Sequence, residues 1–302
     1  MTQTFYNLDR LKVCYRVSRT LWDEIKDSKE FNKGIFKCTR VLNGDGEVTV
    51  TVKIPKRITK TRETVFGTLK VKSDEVINNA DERYAWFTVD NKVLYTDNEN
   101  INVSQLLTQL RDSFWMVFNN VSQAEVALDV DFDAAAAIFK VIRMHKEPIL
   151  IMGRTITDPD ETIESLTCEL KTSETEFKSM ELRFKCEGSK HQFYIYDKKK
   201  EIQRHRKNYI LNHYKTNPET LYRMEVRLDT DRARAAAKKQ RMSDEKWMYE
   251  YLLNPVNLEQ TWGTASKEYI RIRRDRRHIY NVFEYIQMLG ICNGVSFCHI
   301  PF

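Results

Sequence analysis

Apolar and polar positions alternate along much of the first half of the chain, the period of a half-buried strand. Residues 48–54 read VTVTVKI, and Gly44-Asp45-Gly46 just before them signals a hairpin. Residues 65–71 alternate again, and 84–89 and 93–95 read as strands joined at Asp90-Asn91-Lys92. At Asn102 the period changes. Leu106, Leu110, Phe114 and Phe118 recur four apart, which predicts a helix capped by Asn102 or Ser104 and ending near Asn119-Asn120. Residues 124–132 return to strand, and Asp133 is placed to cap a helix over 134–144. Strands follow at 149–156, 166–170 and 180–186. Gly188-Ser189-Lys190 turns the last of these into a strand over 191–197. A helix starts near Lys198, and 221–228 is a further strand. From Asp231 on the pattern is helical up to Leu289, interrupted at Asn254-Pro255.

Strands with interleaved helices and short turns predict an α+β fold, a mainly antiparallel sheet with packed helices, followed by a basic helical C-terminal region. The expected boundary divides 1–230 from 231–302. At 302 residues and 41% hydrophobic, the chain can bury a core. The six cysteines form no C-x-x-C pair, so they read as reduced thiols, and a zinc ribbon has no signature. The N-terminal residues lack a secretion pattern and no apolar run approaches the length of a membrane span. The expected location is the cytoplasm, with no membrane partner.

Charge changes the picture. From residue 181 on there are 24 Lys+Arg against 15 Asp+Glu, whereas the first 180 hold 25 against 28. A basic C-terminal portion favours a polyanionic partner, with nucleic acid the leading candidate. A solvated helical surface is the plain alternative. Lys199, Arg204 and Arg206 lie in one cluster, and Arg271, Arg273, Arg274, Arg276 and Arg277 crowd another, read here as helical.

Two stretches carry candidate chemistry. In 191–197 Tyr194 and Tyr196 share one strand face, opposite Phe193 and Ile195, and Lys198-Lys199-Lys200 follow at once. A phenol beside ammonium groups suits nucleophilic attack on a phosphodiester, because the cations favour phenolate and the charge developing on the phosphoryl group. Packing with the hydroxyls in water is the alternative. In AEVALDVDFD (124–133), Glu125, Asp129 and Asp131 share a face, and the last two can converge on one cation. Oxygen ligands of this kind suit Mg²⁺ or Mn²⁺. The six histidines form no H-x-H pair, so a two-histidine metal strand is not available. On 221–228, Glu225 lies between Arg223 and Arg227 on one face, either as a ligand with phosphate-binding arginines or as a salt-bridged row.

Tyr196-Asp197-Lys198-Lys199-Lys200-Glu201 resembles the Y-[DN]-K-x-x-E motif of the replication initiation factor family, the rolling-circle initiators of small plasmids and related elements. Tyr222-Arg223-Met224-Glu225-Val226-Arg227-Leu228 is similar to that family's aromatic-R-x-E-x-x-L strand. Glu125 to Asp129 has the spacing of its acidic strand, although Glu125 stands for the family's first Asp and Gln123 stands where the family has Arg. The likeness covers about residues 124–228. It implies a metal-dependent DNA nickase of relaxase-like fold, distantly related to the His-hydrophobic-His endonucleases. Its motif tyrosine cuts one strand and stays on the 5′ phosphate, leaving a 3′ hydroxyl as primer. Carried over, Tyr196 is the nucleophile, with Tyr194 as runner-up, and Lys198 steadies the phosphotyrosine. Glu125, Asp129 and Glu225 hold Mg²⁺ or Mn²⁺, with Asp131, Glu169, Glu181 or His191 as substitutes. Lys199, Arg204, Arg206, Arg223 and Arg227 contact DNA. The implied partners are origin DNA, single-stranded or cruciform, and a host helicase, with a homodimer left open. A mobilisation relaxase with the same chemistry and a non-catalytic origin-binding protein are the competing readings.

Overall fold

The computed structural model describes residues 3–42, 47–55, 63–77, 82–95, 102–144, 149–151, 154–156, 182–185, 192–273 and 278–290. The chain falls into two compact units that interleave along the sequence. One comprises Leu8–Glu125 and Leu228–Asn254, here the N-terminal unit. The other comprises Met1–Asn7, Val126–Arg227 and Pro255–Phe302, here the tyrosine unit. The expected helical region 231–302 is thus divided, with 231–254 in the first unit and the remainder in the second.

The N-terminal unit is built on β1 (Thr4–Ser18), β2 (Glu30–Lys33), β3 (Phe36–Leu42), β4 (Glu47–Ile54), β5 (Thr64–Ile77), β6 (Glu82–Val89) and β7 (Val117–Val130). They hydrogen-bond in the order β7-β1-β6-β5-β4-β3-β2, and each pair from β1 to β2 is antiparallel. Period-two alternation does the work the sequence promised: on β4, Val48, Val50, Val52 and Ile54 are buried and the residues between them are not. Val13, Leu69, Val71, Ala85 and Phe87 extend that apolar face. Each of these valine, leucine, isoleucine and phenylalanine side chains contributes roughly 1.5–3 kcal/mol of transfer free energy. Helix α1 (Arg19–Asp27), capped by Ser18, buries Leu21, Trp22 and Ile25 and contacts β4 and β6. At Gly67 a Cβ would lie 2.3 Å from the Thr88 carbonyl oxygen, so only glycine lets β5 and β6 approach there. Cys14 and Cys38 are free and buried, and burial pushes the Cys38 thiol up to about 12, which makes it inert.

Two expectations in this unit are corrected. Residues 93–95 are not a strand. Asp90 accepts the Lys92 N–H with its side chain and starts the short helix α2 (Asn91–Leu94), because a local aspartate bond competes with extended pairing. The helix from Asn102 is α3 (Val103–Ser113), capped by Asn102 as expected. It ends well before Asn119, where Trp115 takes a positive φ of 48° and turns the chain into β7. Phe118 therefore belongs to a strand.

The tyrosine unit holds β10 (Leu182–Lys185), β11 (Gln192–Asp197) and β12 (Tyr222–Asp229), with β10 and β12 antiparallel to β11 on either side, and β7 beyond β12. A second sheet runs β14-β13-β8-β9, from β8 (Ile149–Ile151), β9 (Arg154–Ile156), β13 (Ile270–Arg273) and β14 (Ile279–Asn281). Residues 270–273 and 279–281 are thus strands where helix was expected. Isoleucine at 270 and 272 buries one face of β13 while Arg271 and Arg273 stand on the other, a period of two hidden inside a basic run. Asp133 caps α4 (Ala134–Met144), accepting from Ala136 N at 2.9 Å. Helices α5 (Lys198–His205) and α6 (Tyr209–Tyr214) lie between β11 and β12 in the chain. After β12 come α7 (Thr230–Lys239), of the N-terminal unit, then α8 (Leu258–Ser266) and α9 (Val282–Met288) of this one. The core gathers Phe193, Trp262, Tyr269 and Phe283, and the Trp262 indole donates to the Met224 carbonyl at 2.9 Å. The strand read at 166–170, the turn at Gly188-Ser189-Lys190 and Arg274 to Arg277 lie outside the described residues. No helix among the described residues is long and apolar enough to cross a membrane.

Candidate functional site

Strand β11 ends at the tyrosines because Asp197 stops it: its side chain accepts the Lys200 N–H at 2.9 Å and opens α5 directly. Phe193 and Ile195 are fully buried, whereas Tyr194 and Tyr196 are half-buried on the other face, as the alternation predicts. Register sets Tyr194 opposite Glu225 and Tyr196 opposite Arg223. The long Tyr196 ring reaches diagonally, and its hydroxyl donates to Glu225 Oε2 at 3.2 Å. Glu225 itself is 6% exposed. The Arg227 guanidinium lies over the Tyr194 ring at 5.6 Å.

Lys198 is 1% exposed, and its Nζ sits 5.7 Å from the Tyr196 ring centre and 2.5 Å from Glu201. Glu201 also meets Lys207 at 2.6 Å. Burial alone would raise the Glu201 carboxyl, but the two ammonium groups outweigh it and hold the group below the usual carboxylate range. Lys199 serves the loop before β12: its ammonium donates to the Asn217 side chain and, at 2.7 Å, to the Pro218 carbonyl. Arg204 and Arg206 are exposed at the end of α5, where Arg206 caps the helix with a φ of 53°.

Two expected site residues are placed elsewhere. Asp129, read as a metal ligand, gives its two oxygens to Arg223 at 2.6 Å each and accepts the Tyr214 hydroxyl as well. Asn7 donates to Tyr214 at 2.7 Å and closes the network. Asp129 and Arg223 are both 0% exposed, so Arg223 is not at the surface for DNA. The physical reason is that a charge buried in a core must be paired and hydrogen-bonded, and each is the other's partner. Asp131 accepts the Gln3 N–H at 3.0 Å. Tyr222 donates to Asp133 at 3.1 Å, and burial with the nearby carboxylates raises its phenol pKa well above normal. Glu169, Glu181 and His191 lie outside the described residues.

In the N-terminal unit Glu125 is 5% exposed and accepts from the Gln123 amide at 2.6 Å. A carboxylate oxygen of Asp9, on β1, lies within 4.8 Å of one of Glu125, and Asp9 accepts the Tyr95 hydroxyl at 2.6 Å. Two carboxylates this close repel unless protonated or bridged by a cation, and an all-oxygen donor set suits Mg²⁺ or Mn²⁺. Asp9 was not anticipated. Its signal was available in LKVCYRV, where Leu11, Val13, Tyr15 and Val17 alternate and mark a strand that leads back to the acid.

Among solved structures the chain is similar to the rolling circle replication initiator protein from Geobacillus stearothermophilus. The identity is 13%, the TM-score is 0.46, and 98% of this chain and 99% of that one are covered. No family model and no curated protein matches the chain.

Proposed function

We propose that the protein is a rolling-circle replication initiator, a metal-dependent nickase that cuts one strand of origin DNA with Tyr196. The observation that carries this reading is the Tyr196 hydroxyl hydrogen-bonded to Glu225 at 3.2 Å beneath the Lys198 ammonium. It is supported by the motif order on β7, β11 and β12. In the proposed reaction the Tyr196 oxygen attacks phosphorus and its proton passes to Glu225, the acceptor already in place. The bond from phosphorus to O3′ breaks, and O3′ takes a proton from solvent. The products are a 5′-phosphotyrosine and a free 3′ hydroxyl. Lys198 favours the phenolate before attack and the phosphotyrosine after it.

Asp9 and Glu125 of the N-terminal unit are the carboxylates proposed to hold Mg²⁺ or Mn²⁺, with Asp9 taking the place first read for Asp129. When bound, the cation polarises the scissile phosphate and stabilises the leaving oxygen. Arg204 and Arg206, with Arg227 beside Tyr194, are proposed to meet DNA phosphates, giving affinity that falls with salt.

The test is mass spectrometry of the adduct formed on a suicide oligonucleotide carrying the origin, with and without Mn²⁺. The expected adduct is on Tyr196 and disappears in Tyr196→Phe. An adduct retained by that variant, or mapped to Tyr194, rejects the assignment.

A further inference from the structure

The N-terminal unit has a sheet face that plays no part in the tyrosine chemistry. Strand register places Lys70, Trp86 and Cys14 in one row across β5, β6 and β1, and Tyr84 with Arg16 in the next. On the other side of the Trp86 row, Thr39, Thr51, Thr68 and Thr88 run in line and end at Lys12. Residues between these in sequence, such as Val13, Leu69, Ala85 and Phe87, are fully buried on the opposite face. Alternation therefore fixes Tyr84 and Trp86, both half-buried, on the outward side.

The two rings lie 6.1 Å apart, tilted by 45°. The Lys12 ammonium stands 5.8 Å from the Trp86 ring centre. Among the described residues cations exceed acids here: Glu82 pairs with Arg16 at 3.2 Å and Glu47 with Lys70 at 2.7 Å, while Arg10 and Lys12 add further positive charge. Burial, then the charges of Arg10 and Lys70, hold the Lys12 ammonium below its usual pKa.

Two large π faces with surrounding cations and a hydroxyl row fit one ligand chemistry. Stacking requires bases whose faces are open, which a duplex does not offer, and the cations match a phosphate backbone. A protein partner would call for a broader apolar patch. We propose that this sheet face binds a single-stranded nucleic acid segment, stacking unpaired bases on Tyr84 and Trp86 with phosphates at Lys12, Arg16 and Lys70. The proposal does not depend on Tyr196 being a nucleophile.

The experiment is fluorescence anisotropy of the full chain with a labelled dT oligonucleotide and with its duplex, over a salt series. Binding of the single strand in preference to the duplex is expected. Trp86→Leu and Tyr84→Leu, checked for a native melting curve, should each weaken it about tenfold. Lys12→Gln with Lys70→Gln should reduce the slope of log affinity against log salt by about one to two. Trp86→Leu should still form the tyrosine adduct on a short origin oligonucleotide. Unchanged affinity in folded Trp86→Leu and Tyr84→Leu overturns the proposal, as does equal duplex binding. Loss of binding in Tyr196→Phe alone assigns the DNA to the tyrosine site and also overturns it. Absence of oligonucleotide binding, with a dimer that Trp86→Leu dissociates, makes the face a contact between copies instead.

Discussion

Arg223 and Glu225 are two residues apart on the same face of β12, yet they live in different environments. Arg223 is sealed against Asp129 with both groups fully buried. Glu225 meets a half-buried phenol that can still reach solvent. The first pairing spends its charges on holding strands together. The second keeps a hydrogen-bond acceptor beside a phenol. Sharing a strand face therefore says little about environment, because the neighbouring strand decides which partner a charge meets.

Tyr196→Phe carries the largest expected effect. Adduct formation should fall below detection while urea stability stays within about 0.5 kcal/mol, the range of substitutions that leave packing intact. Glu225→Gln comes next: strand cleavage should drop about 10²- to 10⁴-fold, the usual worth of a general base, as read in single-turnover cleavage at saturating Mn²⁺. Asp129→Asn inverts the pattern. It should cost about 3–5 kcal/mol in urea unfolding by leaving Arg223 without its charge partner. The double change Asp129→Leu with Arg223→Met should recover much of that loss, which a lone destabilised core would not do.

The smallest effect is the pH dependence at Glu201. Its folded pKa lies below the ordinary value, so ionised Glu201 stabilises the fold above the unfolded pKa, and that stability is lost as pH falls through the folded one. Glu201→Gln should flatten the acid limb of stability below about pH 4.3, measured by thermal melting across pH.

Much of this was readable in the chain because it is local. Alternation on β4 and β11, and caps at Asn102, Asp133 and the end of β11, depend on residues a few positions apart. What could not be read depends on register between distant segments. Asp129 and Arg223 are 94 positions apart, and nothing near either names the other. Asp9 lies on a strand whose neighbours fix its meaning. The arginine-rich stretch at 270–273 misled because charge drew attention away from the buried Ile270 and Ile272. The tyrosine's place at a strand end was legible because the strand, its stop at Asp197 and the helix after it are encoded within the same few residues.

The chain crosses between its two units inside β1, β7 and β12, after Asn7, Glu125 and Arg227, and again before Pro255. No single scission can release either as an intact piece. A stop codon after residue 230 would strip Trp247 and Met248 from one hydrophobic interior and Trp262 and Phe283 from the other. Shortened forms made to isolate one unit would collapse on both sides at once, so any dissection of this protein has to proceed by point substitution.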